Sequence, residues 1–481
     1  MNLSNISNII GRVLLVCAIL MLPCVIVALI YKEDALISFL IPISLMVITG
    51  LMLIKISKPD SRFFFAKDGL IAVALSWIVL SIFGALPLYI SGTTASYVDA
   101  LFETVSGFTT TGATIYTNVE ILPKSILFWR SFTHWIGGMG VLVFLLAVLP
   151  KTEMSMMHIL KAESPGPKVG KLVSKTRSSA RILYGIYMTM TVILIVLLLL
   201  GGMPLFDSVV NAFATAGTGG FGILNTSIAG YNSLYCEIVI GVFMLLFGIN
   251  FNLFYLVIIG QFGRALKSEE LRTYLAIIIS AILLIAWDIS SIYESFGESL
   301  RYSFFQVSSI ITTTGFATAD FNLWPSFSKI ILLLLMFIGS CAGSTGGGIK
   351  IARIVIIAKN VKNTLKKVIS PRAVTSVSLD SEIVDEKTVK TVSTYLCAYV
   401  FIICVSTLAL SLDRYNGVTS FSAVMACFNN IGPGLNEVGP VGNFSGFSPF
   451  SKIVLIFDML FGRLEIFPMM TLFSLSAWKK N

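Results

Sequence analysis

Apolar residues run along this chain in ten long stretches, near 10–31, 36–57, 69–91, 125–149, 181–202, 234–262, 271–293, 327–358, 391–412 and 451–478. Each approaches the roughly 20 residues a helix needs to cross a hydrocarbon core. The pattern predicts an all-α polytopic membrane protein with about ten crossings. Four segments too short to cross lie after the third, fifth, seventh and ninth stretches, and each closes on a glycine. They end in Thr109-Thr110-Thr111-Gly112, Ala214-Thr215-Ala216-Gly217, Thr312-Thr313-Thr314-Gly315 and Asn429-Asn430-Ile431-Gly432. These glycines are 105, 98 and 117 residues apart. The spacing predicts four pseudo-repeats of span, pore helix, filter loop and span around one pore, with two extra spans leading. The expected divisions are 1–66 for the leading spans, 67–150, 151–263 with a cytoplasmic loop, 264–360 with a broken last helix, and 361–481 with a further cytoplasmic loop.

Composition agrees. Of 481 residues 56% are hydrophobic and 12% charged, where soluble domains carry roughly 25% charged residues. The leading run Val13–Tyr31 follows only Arg12, exceeds a signal-peptide core in length and lacks a small-x-small cleavage site. It is expected to stay as a membrane helix. Lysine and arginine gather in 55–67, 151–181, 264–272 and 350–390, whereas the connections holding the glycine motifs carry Asp99, Glu103, Glu120, Glu294, Glu298 and Asp320. Because basic loops stay in the cytoplasm, both termini are expected there and all four motifs open outward. The net charge of +9 is dispersed over these loops, which argues against a nucleic-acid surface. The seven cysteines lie mostly in apolar runs without CxxC spacing and read as small buried hydrophobes.

Non-helical backbone at membrane depth survives only where protein buries it or it lines a watery cavity. A short helix that stops inside the membrane aims its partially negative C-terminus at that cavity, which favours a cation. Glycine lets the preceding carbonyls turn inward, and rings of carbonyls can replace a hydration shell. The expected ligands are Thr110, Thr111 and Gly112; Thr215, Ala216 and Gly217; Thr313, Thr314 and Gly315; and Asn430, Ile431 and Gly432. No carboxylate falls within these motifs, which argues against a divalent ion. One glycine per strand and unequal linings predict a short filter of modest stringency.

Two further features interrupt the apolar pattern. The eighth stretch breaks at Gly339-Ser340-Cys341-Ala342-Gly343-Ser344-Thr345-Gly346-Gly347-Gly348, a run costly in a helix at about 1 kcal/mol per glycine. Broken helices line transport pathways, and small-residue runs also serve close helix packing. Arg463 stands mid-way in the last stretch, where an arginine costs about 2.5–3.5 kcal/mol. It faces a cavity or pairs locally with Asp458 or Glu465.

The four motifs, the repeated architecture and the two leading spans together resemble the Trk/Ktr superfamily of potassium uptake proteins, most closely its bacterial TrkH branch, over essentially the whole chain. The resemblance implies a channel-like pore in the bacterial cytoplasmic (inner) membrane with K+ as transported substrate, Na+ and Rb+ as further candidate permeants, and no tightly bound cofactor. It also implies a homodimer in the lipid bilayer, joined to a cytosolic TrkA-like nucleotide-binding regulatory ring. It makes Gly343, Ser344, Thr345, Gly346, Gly347, Gly348 and Lys350 an intramembrane gating loop, with Arg463 projecting toward the pore. Gly112 stands where sodium-preferring relatives often carry serine, and the leading spans are normally missing from the Ktr branch. The rival readings are a sodium-dependent Ktr-type or sodium-permeable transporter and, from another class, a secondary cation symporter. That last would typically show inverted repeats, whereas these four copies run in one direction.

Other signals fall away on context. Gly217 to Gly222 matches GxGxxG, but no strand precedes it and membrane spans flank it. Gly343 to Lys350 departs from a P-loop because Ile349 intrudes. His134 and His158 lack metal-ligand or triad spacing, so no enzyme is expected, and His134 reads as a packing or interface residue. Asn250 and Asn252 either line a cavity or bond between helices.

Overall fold

The computed structural model describes residues 3–57, 66–140, 176–380, 382–474 and 478. Helices α1 (Leu3–Tyr31) and α2 (Leu36–Ile56) form a hairpin at the start of the chain. They cross closely because Gly11 and Gly50 meet backbone to backbone: a methyl on Gly11 would lie 2.8 Å from the Gly50 oxygen.

Four segments follow, each a long helix, a short helix, an irregular strand and a second helix. The long helices are α3 (Ala66–Ile90), α6 (Thr176–Leu200), α11 (Glu269–Asp288) and α15 (Glu386–Leu410). The short ones are α4 (Tyr97–Phe108), α7 (Leu205–Ala216), α12 (Phe296–Ile311) and α16 (Gly417–Phe428). Three of these start on a side-chain cap: Ser96, Ser295 and Asn416 accept the N–H of Asp99, Glu298 and Thr419, which satisfies donors the first turn leaves open. At 12 to 16 residues they are roughly 18–24 Å long, short of a crossing.

The second helices depart from the simple apolar pattern. Helix α5 (Lys124–Gly138) covers the first half of the stretch expected at 125–149, of which 141–149 lie outside the described residues. The stretch at 234–262, expected as one span, is α8 (Leu234–Phe247) and α9 (Phe251–Ile258), bent by 94°. Residues 339–350 separate α13 (Ser326–Ile338) from α14 (Ile351–Ile369). The last stretch divides at Glu465, whose φ of 65° parts α17 (Pro449–Leu464) from α18 (Ile466–Phe473). Among the described residues, then, six unbroken helices are long and apolar enough to cross a membrane, or seven with the bent pair. The segment 350–390, read as a basic loop, is largely helix α14 and a small antiparallel hairpin pairing Ser378–Leu379 with Glu382–Ile383. Most of the basic loop 151–181, His158, Lys58 and Arg62 lie outside the described residues.

The segments close on one another. Helix α5 packs on α7, α8 on α12, α13 on α16, and α17 returns to α4. Each second helix thus supports the short helix of the next segment, and the fourth supports the first. A further short helix, α10 (Phe262–Leu266), joins the second segment to the third.

Candidate functional site

The backbone after each short helix follows one path. The N–H groups of Thr110, Thr218, Thr313 and Asn430 donate to the carbonyls of Gly107, Thr215, Ile310 and Cys427 at 3.0–3.2 Å. Those of Thr111, Gly219, Thr314 and Ile431 donate to Ser106, Ala214, Ser309 and Ala426 at 2.8–2.9 Å. The first residue of each strand is left-handed, with φ of 57°, 53°, 58° and 56°, and so is the glycine two residues on: Gly112, Gly220, Gly315 and Gly432, at 79°, 75°, 87° and 96°. A non-glycine residue held there stores about 1–3 kcal/mol of strain. Four such residues at one position mark a structure that the surroundings enforce.

This fixes the register, and the second segment differs from its sequence reading. Its strand is Thr218-Gly219-Gly220. Thr215 and Ala216 belong to α7, and Gly217 is the helix C-cap at φ −70°, the counterpart of Thr109, Thr312 and Asn429. Gly217 needs no special backbone angle. It is small because a methyl there would lie 2.3 Å from the His134 oxygen. The residues expected in the other three strands (Thr110 to Gly112, Thr313 to Gly315 and Asn430 to Gly432) fall in one matching register, and the rejected GxGxxG match contributes the fourth.

The strands close into a ring. A methyl on Gly112 would lie 2.0 Å from Gly219 O, one on Gly220 2.0 Å from Thr314 O, one on Gly315 2.1 Å from Ile431 O, and one on Gly432 2.8 Å from Thr111 O. Each glycine packs on the carbonyl just before its neighbour's glycine, in cyclic order. Outside the ring lies a cavity of about 140 Å³ bordered by Gly112, Gly220, Gly315 and Gly432. Its walls are tied segment to segment, with Asn225 Oδ1 accepting the Val119 N–H at 2.8 Å, Ser227 Oγ that of Ala317 at 3.2 Å and Thr114 O that of Phe444 at 2.8 Å, and beside them Asn322 Oδ1 accepts the Asn436 N–H at 2.9 Å.

Below the ring the symmetry ends. The loop 339–350 enters the break between α8 and α9, where Cys341 N–H donates to Gly248 O at 3.1 Å and Phe251 N–H to Gly343 O at 3.0 Å. Thr345 Oγ1 donates to Phe247 O at 3.2 Å. Asn250 caps α9 through the N–H of Asn252 and borders Gly343. At the loop's tip, Gly347 N–H donates to Thr313 Oγ1 at 2.6 Å. A methyl on Gly347 would meet Asn429 O at 2.2 Å, so the tip is pressed against two strands. Lys350, buried and with φ 79°, folds its ammonium back onto the Gly346 carbonyl.

Arg463 completes this floor. It donates to Thr345 O at 2.8 Å, to Gly138 O at 2.6 Å, to Gly137 O, and reaches Thr110 Oγ1 at 3.3 Å. The local partners suggested by sequence are engaged elsewhere: Asp458 accepts from Ser406 at 2.7 Å, and Glu465 pairs with Arg353. The arginine therefore joins the loop tip, the first strand and the end of α5. Its fork of donors suits several carbonyls at once.

One residue matters more than its sequence setting suggested. His134 lies between two segments, with Nδ1 2.8 Å from Gly107 O and Nε2 accepting the Phe221 N–H at 3.3 Å. A neutral ring protonated on Nδ1 satisfies both contacts. It braces the first short helix against the second strand, a role no local motif announces.

Comparison with known proteins gives this geometry a family. The profile of the TrkH family, described as a cation transport protein, matches residues 39–293 and 289–480. The "Trk system potassium uptake protein TrkH" of Escherichia coli K12 is 35% identical over the full length of both chains. The TrkG protein of the same strain is 36% identical over 95% of each chain. The crystal structure of the potassium transporter TrkH from Vibrio parahaemolyticus superposes with a TM-score of 0.90 over all of both chains, at 33% identity. The chain belongs to the TrkH family of cation transport proteins.

Proposed function

We propose that this chain carries potassium across the cytoplasmic membrane through one channel-like pore per subunit. The filter is the ring formed by Thr110 to Gly112, Thr218 to Gly220, Thr313 to Gly315 and Asn430 to Gly432. The gate is the loop through Gly343, Ser344, Thr345, Gly346, Gly347, Gly348 and Lys350, held with Arg463. The observation that carries the reading is the cyclic packing of four glycines on four carbonyls, 2.0–2.8 Å from any added methyl. At all four positions the oxygen met is a backbone carbonyl, a type of oxygen that can replace a hydration shell, and four short helices end beside them with their partially negative termini. Arg463 adds a fixed positive charge under the ring, which opposes cation flow until the loop and arginine move.

The working form is a homodimer in the bilayer with both termini cytoplasmic. Its gate answers to a cytosolic TrkA-like nucleotide-binding ring, which meets basic surfaces such as Lys362, Lys366 and Lys367 on α14. The test is rescue, at low external potassium, of a bacterium lacking its own potassium uptake systems, followed by Rb+ and Na+ flux into proteoliposomes. Rescue with Rb+ flux exceeding Na+ flux is expected. Coupled counter-flux of fixed stoichiometry without channel-like leak would overturn the pore reading.

A further inference from the structure

The gate loop is held from outside by a carboxylate that no motif announced. Helix α11 begins at the Ser268 cap and carries Glu269 and Glu270 in its first turn. Glu270 is 5% exposed. Its Oε1 accepts two backbone N–H groups, that of Ala342 at 2.6 Å and that of Ala352 at 3.2 Å. These lie on opposite limbs of the loop, one shortly after α13 ends and one in the first turn of α14. Between them the limbs are laced together: the N–H groups of Ile349, Lys350 and Ile351 donate to Phe337, Ile338 and Ser340, each at 3.1 Å. One oxygen therefore pinches the neck of the loop whose tip reaches Thr313 and Arg463.

The neighbouring residue ties the same place to the surface. Glu269 pairs with Lys359 of α14 at 2.6 Å, Lys359 donates to Ser378 O at 2.8 Å, and Asp380 of the hairpin accepts the Glu269 N–H at 2.6 Å. A carboxylate on a helix N-terminus commonly serves only that helix. This one serves two limbs of a chain break, and so fixes how far apart they stand.

We propose that Glu270 is a positioning residue for the gate, holding the neck of the 339–350 loop so that its tip stays under the ring. The proposal rests on reading that loop as the gate. Displacement of α14 and its hairpin would draw Ala352 off the carboxylate, free the neck and lower the tip.

The test uses the full-length chain in proteoliposomes without a regulatory partner, comparing E270A, E270Q and a chain lacking residues 345–347. Loss of both hydrogen bonds accepted by the Glu270 Oε1 should raise Rb+ flux in E270A about tenfold, with the Rb+/Na+ ratio kept because the ring is untouched. E270Q, whose amide oxygen still accepts, should stay within about twofold of the parent chain. Cys341, buried in the loop, should react with a water-soluble thiol reagent faster in E270A than in the parent, with the exposed Cys397 and Cys404 replaced by serine. Leak in the shortened chain with E270A silent and Cys341 protected would overturn the positioning role and leave the gate reading standing. Silence in both would overturn the gate reading, and the proposal with it. E270Q leaking as much as E270A, or E270A leaking without ion preference, would also overturn the proposal.

Discussion

The ring and the floor beneath it are built on opposite principles. In the ring four strands repeat one backbone course, with the same hydrogen bonds, the same left-handed positions and a glycine seated on each neighbour's carbonyl. In the floor nothing repeats: one loop comes from the third segment, one break from the second, one arginine from the fourth. On the proposed reading, a cation in the ring is held by backbone oxygens from all four strands, so a change in any one strand is costly there. Obstruction needs only one object in the path, and the asymmetric part can change position without rebuilding the ring.

The sharpest way to break this contrast is to add one methyl to the ring. G220A and G112A each drive a Cβ to 2.0 Å from a backbone oxygen and add about 1–2 kcal/mol of left-handed strain. Rb+ uptake should fall by at least about a hundredfold, and the thermal transition of the purified protein should drop. G432A, with its nearest oxygen at 2.8 Å, should be the mildest of the four. Equal effects at Gly432 and Gly220 would contradict the packing order.

The floor should respond in the opposite direction. R463A removes donors to Thr345, Gly137 and Gly138 together with a charge, and Rb+ leak should rise about tenfold. R463K, keeping charge but not the fork, should leak by an intermediate amount. A smaller rise, about threefold, is expected for G347A, whose added methyl meets Asn429 O at 2.2 Å and pushes the tip down from the ring. Flux measured without a regulator distinguishes both from ring damage, which lowers it.

The smallest effect sharpens the register. T218A alters a strand position equivalent to Thr110 and Thr313 and should shift the Rb+/Na+ flux ratio about threefold. Thr215 spends its hydroxyl on Asn211 O of its own helix at 2.7 Å, so T215A should leave the ratio unchanged. The reverse outcome would restore Gly217 to the ring.

Three strands were readable because Thr or Asn, one residue, then Gly recurs at Thr110, Thr313 and Asn430. The same pattern exists at Thr218-Gly219-Gly220 but is masked by Gly217, a glycine kept for another reason, contact with the His134 backbone. Letters record that a residue is small, not whether a positive φ or a close neighbour requires it. The breaks at Phe247–Phe251 and Glu465 were hidden for a related reason: apolar runs resume on both sides of a few polar or small residues, while the first break is occupied by a loop from about a hundred residues away. Arg463 shows the same limit, since nearby acids suggested partners that structure assigns to Ser406 and Arg353.

Membrane residence, helical class, the number of apolar stretches and the fourfold recurrence were all present in the order of residues, because transfer to lipid and helix length depend on local composition. The register of the second strand, the closure of the ring and the contacts of Arg463 and Glu270 were not. These are close approaches between groups remote in sequence, backbone on backbone in the ring and side chain on backbone at Arg463 and Glu270, and only the packed chain decides which group stands next to which.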